Sequence, residues 1–163
     1  MVLIVAGLRA NGDVAVLEQA DGGGDIDGRD AQDLVETLSR EKARWVARQQ
    51  TPDTLVIGAD TVVVLDGAIL GKPRDGAEAE AMLAALSGRD HQVFTGVTLC
   101  QGDRILTQAE ETQVTFRPLT GQEIRQYVST GEPMDKAGAY GAQGYASLFV
   151  EGITGDFFNV MGL

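Results

Sequence analysis

The chain offers little cysteine, histidine or lysine chemistry: among its 163 residues there are one cysteine, one histidine and three lysines. Cys100 has no second cysteine in the sequence to pair with, so an intrachain disulfide is excluded, and its apolar surroundings predict a small core residue. The single histidine, His91, argues against histidine-rich zinc sites and against Ser-His-Asp catalysis. A metal bound by this sequence would therefore take oxygen ligands, which magnesium and manganese prefer.

Long apolar runs and an excess of positive charge are also missing. No apolar stretch approaches the roughly 20 residues that a membrane span needs. The net charge of -11 leaves no basic stripe for a nucleic-acid polymer, although a few lysines and a divalent cation could still surround one nucleotide. The first residues lack the basic segment of a signal peptide, and a lone cysteine fits a reducing compartment. These absences predict a cytoplasmic protein that binds neither membranes nor nucleic-acid polymers.

The apolar and turn patterns predict one globular domain covering residues 1–163, with 44% hydrophobic and 23% charged residues. Turn signals follow two of the predicted strands, at Asp66-Gly67 and at Gly102-Asp103. Strands are predicted at 2–6, 54–59, 61–65, 91–101, 104–116 and 145–151, and helices at 31–49, 76–87 and 121–130. The last helix has Thr120 and Glu123 at the spacing of a capping box and Gly131 just past its end. Hairpin strands mixed with helices predict an α/β fold with a mixed sheet and flanking helices.

Each of the three lysines lies in a short motif flanked by glycine or acidic residues. Lys42 follows Leu34 and Leu38 at i, i+4 and i+8, so it shares the apolar face of the predicted long helix. One interpretation is that its stem packs in the core while the ammonium group reaches solvent. The other is that this face lines a cleft and that Lys42 contacts a ligand anion.

Asp60 is the one carboxylate within the otherwise uncharged stretch 55–65. Aspartate is poorly suited to strand interiors, and an unpaired buried charge is energetically unfavourable. Asp60 could therefore end a strand by bonding to nearby backbone, or it could lie at a strand end to bind a metal or accept a proton from water. Gly58 and Ala59 leave room there for the close approach of another group.

Two later segments add cations and amide groups. Lys72, in Gly71-Lys72-Pro73, follows Asp60 by about one hairpin and is expected to return to the same end of the sheet. The segment 135–144 is rich in glycine and contains Lys136 and Gln143. Its backbone donors could hold phosphate and the Gln143 amide could meet a base edge, or the segment could be a mobile surface loop.

Taken in order, these motifs resemble those of the Maf family of nucleoside triphosphate pyrophosphatases, which are related in fold to the inosine triphosphate pyrophosphatases. The motifs that carry the resemblance are Arg40-Glu41-Lys42-Ala43, Gly58-Ala59-Asp60-Thr61-Val62-Val63, Gly71-Lys72-Pro73-Arg74-Asp75, Leu86-Ser87-Gly88-Arg89, Thr95-Gly96-Val97, Gly131-Glu132-Pro133, Asp135-Lys136-Ala137-Gly138 and Gly155-Asp156-Phe157-Phe158-Asn159-Val160.

The resemblance implies hydrolysis of a nucleoside triphosphate to the monophosphate and pyrophosphate, with Mg²⁺ or Mn²⁺ as cofactor. It also implies an elongated mixed sheet and allows a homodimer. Asp60 would be the catalytic carboxylate and a metal ligand, and Gln143 would recognise the base. The resemblance also implies that Lys42 and Lys72 hold phosphates and that Thr61 and Lys136 bind substrate. The Gly-Ala-Asp-Thr and Ala-Gln-Gly forms are similar to the branch that acts on thymidine and uridine triphosphates.

The chain departs from the family near its start. Maf proteins have a Leu-x-Leu-Ala-Ser-x-Ser-Pro-Arg-Arg motif, but residues 3–13 lack both serines, the proline and the arginine pair, so that Arg9 is at most a partial substitute. The acidic metal-binding element is reduced to residues 25–28, in which Asp27 is the candidate ligand. The sequence given also stops at Leu163, where the family usually continues through a helix.

These departures predict slow or altered turnover, because each missing charge-assisted hydrogen bond to phosphate is worth about 1.5–3 kcal/mol. The sequence leaves two alternatives to an active pyrophosphatase open. The chain could be a binding or regulatory protein on a Maf-like scaffold that does not hydrolyse nucleotides usefully, or it could be a truncated or engineered chain.

Overall fold

The computed structural model describes residues 5–8, 14–17 and 31–162. Within them, the strands are β1 Val5–Leu8, β2 Val14–Leu17, β3 Leu55–Leu65, β4 Ala68–Leu70, β5 Asp90–Gln101, β6 Arg104–Phe116 and β7 Val150–Thr154. The α-helices are α1 Ala31–Ala47, α2 Gly76–Leu86, α3 Gly121–Ser129 and α4 Phe157–Met161. Short 3-10 helices cover Glu132–Asp135, Ala137–Ala139 and Tyr145–Phe149.

One sheet carries the fold, with the strand order β2-β1-β3-β5-β6-β7 and with β4 paired to β3. The predicted α/β fold with flanking helices is thereby confirmed. By its contacts the chain divides into two compact units. The first contains Val62–Phe94 and Glu111–Met161, and the second contains 2–61 and 95–110. The expectation that the whole chain forms one domain stays a prediction.

The turn chemistry predicted from the sequence is present. Leu65 pairs with Ala68, and the two residues between them, Asp66 and Gly67, have φ angles of 52° and 79°. Two consecutive positive φ values form the type I′ turn that matches the twist of a two-residue hairpin. Gly102, with φ 56°, turns the chain from β5 into β6.

The first unit has an aromatic core. The Phe116 ring meets those of His91, Tyr140 and Phe149 edge to face, with centroids 5.0, 4.8 and 6.1 Å away. Nε2 of His91 lies 2.8 Å from the Tyr140 hydroxyl, and burial lowers the pKa of His91 to about 4. His91 is therefore a buried, neutral core residue.

Helix α3 begins and ends as its sequence predicts. Thr120 and Glu123 form a capping box, in which each side chain accepts a hydrogen bond from the other residue's backbone N–H. After the helix, Gly131 adopts a left-handed conformation with φ 79°. This end of α3 leads directly into the 3-10 helix Glu132–Asp135.

Other predicted boundaries were wrong or incomplete. Residues 145–149 form a 3-10 helix rather than the start of a strand, and β7 begins only at Val150. The two strands predicted on either side of Asp60 are one continuous strand, β3. Strands β2 and β4 and helix α4 were not predicted. Within the part of the chain that the structure describes, no helix has the length and apolar character needed to cross a membrane.

Candidate active site

A lysine and an aspartate from the predicted motifs meet in the second unit. Nζ of Lys42, on α1, donates a hydrogen bond to Oδ1 of Asp60, on β3. The Asp60 side chain is fully buried, and the Lys42 side chain is 14% exposed. Of the two interpretations of Lys42, the outward-reaching ammonium is wrong, because the group points inward and compensates a buried negative charge. Its contact with a ligand anion stays a prediction.

Two glycines bring α1 close enough to the sheet for this contact. A Cβ atom on Gly58 would lie 2.6 Å from the carbonyl oxygen of Ser39 and 2.8 Å from the backbone nitrogen of Ala43. A Cβ atom on Gly96, in β5, would lie 2.3 Å from the carbonyl oxygen of Val35. Helix α1 thus packs directly on the backbone of two strands. The room left by Gly58 is filled by this helix and not by a ligand.

Polar contacts hold the same helix in register. The Ser39 hydroxyl lies 2.9 Å from that of Thr98 on β5, which in turn lies 2.9 Å from that of Thr107 on β6. Nε of Arg40 donates to Thr107 over 3.3 Å. Since Ser39 and Thr98 are completely buried, these bonds satisfy groups that would otherwise destabilise the core. They fix the helical turn that precedes Lys42.

The position of Asp60 corrects the expectation that it lies at a strand end. It is the sixth residue of the eleven-residue strand β3 and is 1% exposed. The strand continues through this position because residues on either side of Asp60 are paired, with β1 before it and β4 after it. The neighbouring Thr61 bonds to the Thr95 hydroxyl over 2.8 Å. Thr61 is therefore engaged in a strand-to-strand contact.

Lys72, Lys136 and Gln143 belong to the first unit. The Gly71-Lys72 segment is tied to the glycine-rich segment, because Gly138 N donates to Gly71 O over 3.1 Å. Gly138 has φ 66°, and a Cβ atom there would lie 2.9 Å from Val63 of β3. Lys72 is half-buried. Its expected return to the end of the sheet that holds Asp60 stays a prediction.

The glycine-rich segment is not a surface loop, because residues 138–142 are all buried. Its backbone donors are also used internally. Gly141 N donates to the Tyr127 hydroxyl over 3.4 Å, and Gly144 N donates to Gly141 O over 3.1 Å. These two amides are therefore engaged in hydrogen bonds within the fold.

Lys136 and Gln143 differ in their surroundings. Nζ of Lys136 donates to Oδ1 of the adjacent Asp135 over 2.7 Å, and this hydrogen bond lowers the pKa of Asp135. Gln143, in contrast, has an exposed side chain. Its amide can offer both donors and an acceptor to a ligand.

Sequence reasoning missed Glu132, although it lies in a motif that carried the resemblance. One carboxylate oxygen of Glu132 accepts from the Tyr127 hydroxyl over 2.9 Å, and the other accepts from Tyr145 N over 3.1 Å. Burial and the Glu132 hydrogen bond both raise the pKa of Tyr127. A Cβ atom on Gly144 would lie 2.1 Å from Glu132 Oε1, so this carboxylate also closely approaches the backbone at position 144.

Two predicted residues, Arg9 and Asp27, lie outside the described residues. Among the residues that the structure does describe, no three histidine, cysteine, aspartate or glutamate side chains cluster as a metal site. Mg²⁺ is commonly held by one or two carboxylates together with substrate phosphates. A single buried carboxylate such as Asp60 is compatible with that mode of binding.

Sequence comparisons agree with the motifs placed above. The profile of the Maf-like protein family matches residues 9–163. A dTTP/UTP pyrophosphatase of Symbiobacterium thermophilum is 57% identical over 131 residues, which cover 80% of this chain and 67% of that protein. A dTTP/UTP pyrophosphatase of Bacillus pumilus is 49% identical over 145 residues, covering 82% of this chain and 77% of that protein. A dTTP/UTP pyrophosphatase of Moorella thermoacetica is 57% identical over 132 residues, which cover 79% of this chain and 67% of that protein.

The region matched by the family profile includes both Lys42 and Asp60, together with the strands and helices described above. This chain belongs to the Maf family.

Proposed function

We propose that this protein is a nucleoside triphosphate pyrophosphatase that hydrolyses dTTP and UTP to the monophosphate and pyrophosphate. The observation that carries the proposal is the Lys42–Asp60 ion pair buried between α1 and β3. A carboxylate at a mid-strand position is unfavourable for stability, which supports a chemical role for it. The relatives named dTTP/UTP pyrophosphatase support the substrate assignment.

In the proposed reaction, water attacks the α-phosphorus, a bond forms between the water oxygen and that phosphorus, and the bond from the α-phosphorus to the bridging oxygen breaks. Pyrophosphate leaves with the electron pair of the broken bond. The Asp60 carboxylate accepts the proton that the attacking water loses. Lys42 orients this carboxylate through the hydrogen bond to Oδ1. Lys42, Lys72 and Lys136 are the proposed contacts to the negatively charged phosphates.

The proposed cofactor is Mg²⁺ or Mn²⁺, with Asp60 and Asp27 as the protein ligands. A divalent cation bound with the triphosphate would supply charge neutralisation on the phosphate oxygens. The oxygen-only donor set fits these hard cations. Removal of divalent cations by a chelator is expected to abolish turnover, and returning Mg²⁺ or Mn²⁺ is expected to restore it.

Recognition of the base is assigned to Gln143, and Thr61 and Arg9 are proposed as further substrate contacts.

An enzyme of this kind acts on the nucleotide pool, so we place it in the cytoplasm. A homodimer is proposed as its assembly. The partner is thus a small nucleotide; the net charge of -11 opposes binding of a nucleic-acid polymer.

The test is release of pyrophosphate from a panel of canonical and modified nucleoside triphosphates, with Mg²⁺ or Mn²⁺. Turnover of dTTP and UTP above that of the purine and cytidine nucleotides is the expected result. The second candidate is a Maf-like nucleotide-binding or regulatory protein, favoured by the serines, proline and arginines that residues 3–13 lack. Tight nucleotide binding without pyrophosphate release would select it.

A further inference from the structure

Glu132 connects helix α3 to the segment that carries Gln143. Its Oε1 accepts from the Tyr127 hydroxyl over 2.9 Å, and its Oε2 accepts from Tyr145 N over 3.1 Å. Gly144 lies so close that a Cβ atom there would be 2.1 Å from Glu132 Oε1. The carboxylate therefore contacts the chain at the two residues that follow Gln143.

The other end of this segment is held by the same pair of side chains. Gly141 N donates to the Tyr127 hydroxyl over 3.4 Å, and a Cβ atom on Gly141 would lie 3.7 Å from Glu132 Oε1. Residues 141–145, which we term the glutamine loop, are thus fixed at both ends by the Tyr127–Glu132 pair. Gln143 is at the centre of the loop, and its side chain is exposed.

The Tyr127–Glu132 pair is itself rigidly placed. Tyr127 is 4% exposed, and its ring meets that of Phe149 edge to face at 5.2 Å. Glu132 N donates to the Thr130 hydroxyl over 3.2 Å. The position of the carboxylate is consequently set by the core of the first unit and not by the glutamine loop that it contacts.

We propose that Glu132 is a positioning residue for base recognition, acting through Gln143 without touching the nucleotide. This inference rests on the proposed function. A glutamine amide can rotate to satisfy the edge of thymine or uracil, with its O4 acceptor, or that of cytosine, with its N4 donor. Discrimination between these bases therefore requires a backbone that holds the amide in one place, and Glu132 supplies that restraint.

The experiment compares kcat and KM for dTTP, UTP, dCTP and CTP in the wild type, Glu132→Ala, Glu132→Gln, Gln143→Ala and the double variant Glu132→Ala/Gln143→Ala. Glu132→Ala is expected to reduce the preference for dTTP over dCTP by about tenfold or more, mainly through KM, because one positioning hydrogen-bond network is lost. Glu132→Gln is expected to keep most of the preference, since its amide oxygen can still accept from Tyr145 N. The preference of the double variant for dTTP over dCTP should be no lower than that of Gln143→Ala.

The matched control is Glu123→Ala, which removes another hydrogen-bonded glutamate of the same unit, in the capping box of α3. It is expected to lower the melting temperature and to leave the preference for dTTP unchanged. Amide hydrogen exchange adds a readout independent of activity: exchange in the glutamine loop should rise in Glu132→Ala and stay unchanged in Glu123→Ala.

An unchanged dTTP preference in Glu132→Ala, or equal losses for all four nucleotides, would overturn the inference. So would additive losses in the double variant. If the wild type releases no pyrophosphate, the proposed hydrolysis fails by itself. The inference is then tested through the ratio of dissociation constants for dTTP and dCTP in the same variants, with an unchanged ratio as the contradicting result.

Discussion

Lys42 and Asp60 form an ion pair between helix α1 and strand β3 in which the carboxylate is fully buried. The two residues belong to separate sequence motifs, 18 residues apart along the chain, and the fold brings them together. A buried pair contributes little net stability relative to an apolar pair, but it is strongly unfavourable to remove only one member. This asymmetry makes the pair testable by folding as well as by catalysis.

Lys42→Met is expected to lower the free energy of unfolding by about 3–5 kcal/mol, because it removes the ammonium that faces a buried carboxylate. Adding Asp60→Asn to this variant removes the unpaired negative charge and should restore part of the lost free energy of unfolding. The measurement is urea denaturation of both single variants, the double variant and the wild type. Strictly additive effects would show that the two groups are not energetically coupled.

Gly96→Ala is expected to destabilise the second unit by about 2 kcal/mol or more, through overpacking. Its new Cβ atom would lie 2.3 Å from the carbonyl oxygen of Val35 and would push α1 away from β5. Gly152→Ala is the matched control, since its nearest neighbour is 4.0 Å away at Thr115. Melting temperatures of the two variants provide the comparison. Equal effects would contradict the close packing of α1 on the sheet.

His91 is expected to make stability depend on pH. Burial lowers its pKa from 6.5 to about 4, against the opposing influence of the Asp90 charge. Between these values the unfolded state binds a proton that the folded state does not, so stability is complete above pH 6.5 and falls as the pH decreases toward 4. The full effect is on the order of 3 kcal/mol.

The measurement is the free energy of unfolding between pH 7.5 and 4.5 for the wild type and for His91→Gln, which keeps a polar group beside the Tyr140 hydroxyl. The variant is expected to be less stable at pH 7.5 but to have a shallower pH dependence. Parallel curves for the two proteins would show that His91 does not account for the slope.

Lys72→Ala is expected to raise KM for dTTP by about tenfold, because the proposed contact between this ammonium and phosphate is charge-assisted. Arg74→Ala is the matched control. It removes a cation two residues further along whose exposed side chain already pairs with Glu78 over 2.9 Å. Steady-state kinetics should separate the two variants, and similar KM values would argue against a phosphate contact by Lys72.

Much of the fold could be predicted from local sequence signals. The type I′ turn at Asp66-Gly67 and the capping box of α3 are local features, and both were found. The interruption predicted at Asp60 was wrong because a tertiary partner, Lys42, makes a mid-strand carboxylate acceptable. A strand propensity alone carries no information about that partner.

The site was predicted in its residue types but not in its contacts. For Lys42 the sequence allowed an ammonium that reaches solvent or one that contacts a ligand anion, and neither interpretation included the ion pair with Asp60. That pair depends on the close packing of α1 on Gly58 and Gly96, which the sequence does not show. Glu132 was missed because its partners, the Tyr127 hydroxyl and a backbone amide, leave no pattern in the sequence spacing.

The proposed role of Asp60 as general base is tested most directly by pyrophosphate release from dTTP with Mg²⁺ by the wild type and by Asp60→Asn, together with dTTP binding by both proteins. If Asp60 accepts the proton from water, kcat should fall by about 100-fold or more while binding is largely retained. Asp60→Asn turnover within a few-fold of the wild type would contradict the central role assigned to Asp60.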